Sequence, residues 1–295
     1  MRKGLIIIKG IILAAGKGTR LYPITIPVCK PLLPMYDKPL IYYSLAAQMK
    51  AGIRDILIIV PPGEVSTFNA LFGDGSNIGI HVEYKEQLVQ RGIADAFIVG
   101  EEFIGTDSVC LALADNIFFG PDFDQKVRSA AKDSLDGATI FGYYVDDPRP
   151  FGVVEFDKSG RAISIEEKPQ KPKSNYIVPG LYFYDNDVVR IAAKVKPSAR
   201  GELEITAVNN EYLNQGKLQV ISLGKEYSWY DAGTADSLLI AANAIQSAQK
   251  SGKMLACLDE IALQNKWISE SQLEVNAEKM RQTKYGQYLK SLLND

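Results

Sequence analysis

The sequence predicts an α/β protein with a doubly wound sheet in its first half, a more antiparallel second part and a helical C-terminal tail. Three observations predict it. Continuous apolar runs such as Asp55-Ile-Leu-Ile-Ile-Val60 and Val109-Cys-Leu-Ala-Leu-Ala114 alternate with helix-like segments, as parallel strands buried on both faces do. After Asp146-Asp-Pro-Arg-Pro150 short strands separated by turn residues take over. From Met254 onward apolar residues recur at helical spacing, with Ile261, Leu263, Trp267, Leu273, Met280, Tyr288 and Leu292.

In chain order, a first strand runs from Gly10 and empties at Ala14 into a loop of small residues. Pro39 to Gly52 begins with proline and ends with glycine, the usual punctuation of a helix. The strand 55–60 completes a βαβ unit. Further units come from His81-Val-Glu-Tyr84, the 92–100 segment, the strand 109–114, a helix in 122–132 and a strand over 138–143. The pairs 152–157 and 162–165, joined by Lys158-Ser-Gly160, form a hairpin that belongs to a second sheet or lid, and 176–184 is another extended stretch. Helices fit 187–193, 202–214 and 235–250, with a strand at 218–223.

With 295 residues, 46% of them apolar and 23% charged, the chain can bury a substantial core. A net charge of −2 offers no general attraction to nucleic acid or to an anionic membrane, so basic residues serve local anions. No run approaches the length of a membrane span. Cys29, Cys110 and Cys257 are too scattered for a disulfide framework or a zinc site, which favours a reducing cytoplasm. The one histidine, His81, excludes a multi-histidine metal site and reads as structural. Arg2, Lys3 and the apolar residues after them imitate a leader peptide, but Lys9 interrupts the run, so residues 1–9 read as an extension before the first strand.

The chemistry begins in Gly10-Ile-Ile-Leu-Ala-Ala-Gly-Lys-Gly-Thr-Arg-Leu21, answered by Val28-Cys-Lys-Pro-Leu-Leu-Pro34. Backbone N–H groups with Thr19, Arg20 and Lys30 suit a polyphosphate, because charge-assisted hydrogen bonds are about twice as strong as neutral ones. This is not a Walker A loop: Gly10 and Gly16 have five residues between them, and Lys17 is followed by glycine. Nor is it the dinucleotide fingerprint, since Leu21 stands where a third glycine belongs. An ordinary glycine-rich turn is the alternative. Asp115 leaves the top of a buried strand and Asp231 sits in Trp229-Tyr-Asp-Ala-Gly-Thr234; the two either hold Mg²⁺, which takes one or two carboxylates plus substrate phosphates, or cap helices. Glu166-Glu-Lys-Pro169 and Pro148-Arg-Pro-Phe-Gly152 meet at the hairpin mouth, as a site for a hydroxylated, phosphorylated ligand or as a solvated charged turn.

The segments 10–34, Tyr36–Tyr43, Leu71–Asn77, Glu166–Pro169, Lys173–Tyr176, Gly180–Asp185, Arg200–Thr206 and Tyr285–Leu289 together resemble the sugar-nucleotidyltransferases, in their long form. The resemblance spans almost the whole chain. It implies a three-layer α/β/α, Rossmann-like mixed sheet, with a catalytic domain over 10–252, a sugar-binding part at about 146–231, and an assembly or regulatory segment over 253–295. The implied reaction joins dTTP and α-D-glucose 1-phosphate with Mg²⁺ to give dTDP-glucose and pyrophosphate. By the same resemblance Leu13, Ala14, Ala15, Gly16, Gly18, Thr19, Arg20, Gln87, Gly92 and Asp115 bind nucleotide, with Gln87 and Gly92 at the base. Phe151, Gly152, Glu167, Lys168, Val178 and Arg200 bind the sugar phosphate; Asp115 and Asp231 hold the metal; Arg20, Lys30 and Lys168 carry catalysis. A homotetramer with a regulatory nucleotide site at a subunit interface is also implied.

Departures at Ala15, Lys17 and Pro31, and in Leu88-Val-Gln-Arg-Gly92, leave the base open between thymine and uracil or another. Phe151, Pro179, Ala114 and Ala232 depart from the family pattern while keeping the charged groups, and leave the sugar open. The alternatives are a uridylyltransferase, another sugar-1-phosphate nucleotidyltransferase, or a non-catalytic nucleotide-sugar sensor.

Overall fold

The computed structural model describes residues 8–294. Its strands are β1 (Ile8–Leu13), β2 (Pro34–Met35), β3 (Lys38–Pro39), β4 (Asp55–Val60), β5 (His81–Glu86), β6 (Ser108–Leu113), β7 (Asn116–Phe119), β8 (Ala138–Tyr144), β9 (Gly152–Phe156), β10 (Ala162–Glu167), β11 (Tyr176–Ile177), β12 (Leu181–Tyr184), β13 (Leu218–Leu223) and β14 (Ser228–Asp231). Its α-helices are α1 (Ile41–Lys50), α2 (Val65–Phe72), α3 (Asp95–Val99), α4 (Glu101–Ile104), α5 (Phe123–Asp133), α6 (Asp187–Ala192), α7 (Ile205–Asn214), α8 (Ala235–Ala248), α9 (Leu258–Gln264), α10 (Glu270–Lys279) and α11 (Lys284–Ser291).

One mixed sheet runs through the molecule in the order β10-β9-β11-β8-β12-β6-β1-β4-β5, with β13 also pairing with β8. The strands β6, β1, β4 and β5 are mutually parallel, as their unbroken apolar runs require. Alternation sends Ile56, Ile58 and Val60 into one core layer, with Leu45, Val127, Ile245 and Ile261 of α1, α5, α8 and α9. Leu57 and Ile59 enter the opposite layer, with Phe97, Ile191 and Val208 of α3, α6 and α7. The three-layer α/β/α expectation holds.

Four local expectations change. The first strand starts at Ile8, so Ile8 and Lys9 belong to the sheet; Lys9 donates to the Phe103 carbonyl at 2.6 Å and pairs with Asp107 at 3.1 Å. The rest of the expected extension lies outside the described residues. The hairpin β9–β10 is not a second sheet: Ile177 of β11 pairs with Tyr143 on one side and Val153 on the other, so the main sheet continues through it. The extended stretch 176–184 breaks at Val178-Pro179-Gly180, where Val178 donates to Gly152 and proline has no N–H to give. His81 is exposed beside Asp55 and Glu83, away from any core. Among the described residues no helix is long and apolar enough to cross a membrane.

The tail is anchored by a polar network rather than by apolar burial alone. Asp259 accepts from Asn276 at 2.7 Å and from Tyr285 at 2.9 Å, and burial pushes its carboxyl above the ordinary range. Gln249 donates to Asp37 at 2.9 Å, and its carbonyl accepts the Leu255 N–H at 2.8 Å. Asp37 also accepts from buried Lys38 at 2.7 Å. The tail is thereby tied to the β2–β3 hairpin, which begins directly after the 3₁₀ turn Lys30–Leu32.

Candidate active site

Two strand ends supply the carboxylates. Asp115 lies in the tight turn between β6 and β7, and Asp231 is the last residue of β14. The β7–β14 ladder places Asp231 opposite Asn116, and Ala232 donates to the Asp115 carbonyl at 3.2 Å. Neither aspartate caps a helix: α8 is capped by Thr234 in a reciprocal box with Ser237. Lys30, 7% exposed, sends its ammonium between them, hydrogen-bonded to Asp115 and 3.9 Å from Asp231. Burial, reinforced by Asp115, pushes the Asp231 carboxyl above its ordinary value of 3.8, while Lys30, Arg20 and Lys168 draw it back.

Arg20 follows a glycine whose backbone is left-handed, Gly18 at φ +62°, which turns the chain into the 3₁₀ turn Thr19–Leu21. A Cβ at Gly233 would fall 2.9 Å from Arg20 Nη2 and 3.0 Å from Asp231 Oδ2, so the guanidinium and this carboxylate crowd the same small residue. The glycine loop thus opens onto the carboxylates. Ala14 donates to the Ile59 carbonyl at 2.8 Å and lies buried with Ala15, while Gly16, Lys17 and Thr19 are exposed.

Between these groups and the mouth of β9–β10 lies a cavity of about 540 Å³. Glu167 accepts from Thr206 at the start of α7, and a Cβ at Gly152 would stand 3.1 Å from Thr206 Oγ1 and 3.5 Å from the Glu167 carboxylate. That space suits a ligand hydroxyl. Lys168 has φ +43°, uncommon for a side chain outside glycine. Its N–H is held by the Phe151 carbonyl at 3.0 Å, and its ammonium is 3.9 Å from Glu167. Phe151 packs edge-on to Trp229 at 5.3 Å, and Val178 lines the wall.

The structure therefore gathers Arg20, Asp115, Phe151, Gly152, Glu167, Lys168, Val178 and Asp231 around one cavity, with Lys30 behind its carboxylates. Leu13, Ala14, Ala15, Gly16, Gly18 and Thr19, from the end of β1 and the glycine loop, are not on its wall, and neither are Arg200, Gln87 and Gly92. Arg200 pairs instead with Glu202 and with Glu204 at 3.2 Å. Gln87 is buried against Asp95. Gly92, at φ +110°, packs against the backbone of Leu203, where a Cβ would stand only 2.5 Å from the Leu203 carbonyl oxygen. Two residues escaped sequence reasoning. Asn116 donates to Asp115 at 2.8 Å while its carbonyl accepts Gly180 N–H at 3.0 Å and Trp229 Nε1 at 2.7 Å. Thr206 orients Glu167. Their only signal is position, next to Asp115 and at a helix start.

The donor set fits a hard divalent cation. Among the described residues no group of three or more His, Cys, Asp or Glu side chains is placed to hold a metal. Two carboxylates at strand ends suit an ion that completes its shell with water and substrate phosphates, and Asp115 and Asp231 are close enough that each feels the other's charge.

A family model described as nucleotidyl transferase matches residues 9–248. The chain belongs to the nucleotidyl transferase family. It is 54% identical over 286 residues to the glucose-1-phosphate thymidylyltransferase of Neisseria meningitidis, covering 97% of this chain and 99% of that protein. It is 49% identical, with the same coverage, to the enzyme of that name from Mycobacterium tuberculosis. Among solved structures it resembles a Bacillus anthracis protein assigned as a glucose-1-phosphate thymidylyltransferase in complex with sucrose, with 40% identity, a TM-score of 0.74, and 80% and 94% of the two chains covered. It also resembles a UDP-glucose pyrophosphorylase complexed with UDP-glucose, at 26% identity and a TM-score of 0.69, covering 82% of this chain and 99% of that one. The protein is an enzyme of this family.

Proposed function

We propose that the enzyme makes dTDP-glucose and pyrophosphate from dTTP and α-D-glucose 1-phosphate. The observation that carries the proposal is the cavity itself, with two cations and two carboxylates at one end and a carboxylate, a hydroxyl and a lysine at the other. The sugar phosphate attacks the α-phosphorus of dTTP in line as pyrophosphate leaves, forming one P–O bond as another breaks. A phosphate oxygen is already ionised near neutral pH, so no general base is required. The protein's work is positioning and neutralisation of charge. Arg20 binds the β- and γ-phosphates and stabilises the leaving pyrophosphate. Lys30 fixes the two carboxylates and lends positive charge to the phosphates. Lys168 holds the sugar phosphate as nucleophile, and Glu167, oriented by Thr206, takes sugar hydroxyls above Gly152. Asp115 and Asp231 would hold Mg²⁺, which when bound supplies charge neutralisation of the triphosphate. Gln87 meets the base. Arg200 reaches the sugar phosphate only by exchanging a glutamate for it.

The test is pyrophosphate release measured for dTTP, UTP, dCTP, ATP and GTP, each against glucose 1-phosphate and other sugar 1-phosphates. The expected maximum is at dTTP with glucose 1-phosphate; a clear maximum at UTP would overturn the base assignment and leave the reaction standing.

The same proposal places the enzyme in the cytoplasm as a homotetramer in which the segment after Gly252 forms subunit contacts and a second nucleotide site. Truncation after Gly252 is expected to change the solution mass seen by light scattering and to weaken inhibition by dTDP-glucose. A truncated enzyme with the same mass and the same inhibition would reduce the tail to a packing element.

A further inference from the structure

We infer that Asp95 is a positioning residue for base recognition: it fixes the amide of Gln87 so that a carbonyl oxygen, and not an NH₂ group, faces the nucleotide base. The inference rests on the proposal that Gln87 meets the base. It adds the residue that gives that contact its polarity.

The placement comes first. Gln87 follows β5 directly, and its N–H donates to the Val60 carbonyl at the end of β4. β4 in turn neighbours β1, whose end opens into the glycine loop. Two strand spacings, about 10 Å, separate Gln87 from the start of that loop, a span that a ribose with its α-phosphate can bridge. The segment after Gln87 also returns to the loop, because the Gln90 side-chain amide donates to the Ala15 carbonyl. Ile93, one residue past Gly92, lines the central cavity.

The polarity follows from an elementary asymmetry. An ionised carboxylate accepts hydrogen bonds and has none to give. Asp95 is wholly buried, and its two oxygens are taken by Arg91 Nη2 at 2.7 Å and by Gln87 Nε2 at 2.7 Å. A glutamine amide read alone has two nearly equivalent orientations; beside an ion-paired carboxylate only one of them is bonded, with nitrogen toward Asp95. Among the described residues, Gln87 Oε1 accepts no hydrogen bond from the protein, and it is not one of the sealed, unpartnered polar atoms. It is a free acceptor.

A free acceptor selects a donor. Thymine and uracil carry N3–H; cytosine carries a bare N3 lone pair at the same ring position, and two acceptors face to face leave both unpaired. A site built around a hydrogen bond rejects the analogue that lacks it far more strongly than an apolar pocket rejects a missing methylene. Asp95 therefore makes the site selective for imide-bearing pyrimidines, while leaving the choice between thymine and uracil to groups around the 5-methyl position.

The experiment compares kcat/KM for dTTP and dCTP in the intact enzyme and three variants. The wild-type enzyme is expected to favour dTTP by about 10³-fold or more. In Asp95→Asn the neighbour can donate as well as accept, so both Gln87 orientations become bonded. The dTTP:dCTP ratio is then expected to fall at least about tenfold through nucleotide KM, with kcat for dTTP within about twofold. Arg91→Gln, which keeps a donor for Asp95, is expected to preserve the ratio. An unchanged ratio in Asp95→Asn, or an equal collapse in Arg91→Gln, overturns the assignment. Gln87→Ala separates this from the underlying reading: if that variant keeps the wild-type ratio, Gln87 does not meet the base at all. Should Asp95→Asn fail to fold, the wild-type enzyme still decides. N3-methyl-dUTP, which has lost the donor, is expected to be at least about tenfold poorer than dUTP, and equal use of the two would overturn the proposal.

Discussion

Asp115→Asn is expected to lower kcat for pyrophosphate release by about 10³-fold, because it removes one of two carboxylates that would hold the divalent cation, a charge interaction of several kcal/mol in the transition state. The neutral amide keeps the shape of the turn between β6 and β7 and leaves Asn116 bonded to Gly180 and Trp229; Lys30 loses its hydrogen-bonded carboxylate but keeps Asp231 beside it, so stability is expected to fall by less than in Lys30→Met. Asp231→Asn is expected to lose activity comparably and to be no less stable, since burial and Asp115 already hold that carboxyl above its ordinary value and its loss relieves a like-charge contact. Turnover and melting temperature measured together check both. Full turnover in either variant would remove that carboxylate from the metal site.

Lys30→Met is the second large effect, and here activity and stability fall together. Its ammonium is the common partner of Asp115 and Asp231, and its side chain is 9% exposed against 25% and 22% for theirs. Breaking a fully buried pair costs about 3–5 kcal/mol; with the carboxylates partly wet, about 2 kcal/mol is expected. Loss of a buried positive charge from the triphosphate site is expected to lower kcat/KM by about 10²-fold. The pH dependence gives the sign. Lys30 lowers the Asp231 pKa in the native protein, so its removal raises an already raised value further. A carboxyl with a folded pKa above its unfolded one stabilises most at low pH, where it is protonated, and that contribution is lost as pH rises through the folded value. The stability deficit of Lys30→Met is therefore expected to widen from about pH 4 to neutrality in metal-free buffer. A deficit independent of pH would mean that Lys30 stabilises by packing alone.

Much of the candidate site's geometry was legible because it is written in strand ends. Asp115 follows a run that can only be a buried strand, and ligands in such sheets gather beyond the carboxyl ends; the structure puts Asp115 there. Gly18 and Gly152 were legible for the same local reason, since one needs a left-handed backbone and the other leaves space over Glu167. Asn116 and Thr206 were not legible. A residue that orients a carboxylate is defined by what the fold brings against it, and Thr206 is 39 positions from Glu167 in the chain. Arg200 was named for the sugar phosphate, yet its own neighbours Glu202 and Glu204 claim it.

Local chemistry, then, was enough to establish a layered α/β protein, the strand 55–60 and the first four residues of the next strand, 81–84, the helical tail, and charged groups suited to a phosphate ligand. These depend on periodicity and residue type, which act over a few positions. Tertiary structure decided whether β9 and β10 form a separate sheet or continue the main one, because a single residue of β11 pairs on both sides. It also decided that Asp231, 116 positions beyond Asp115, shares one lysine with it, and which way the Gln87 amide faces. Each of these is a long-range pairing, whose energy depends on groups that meet only when the chain has folded.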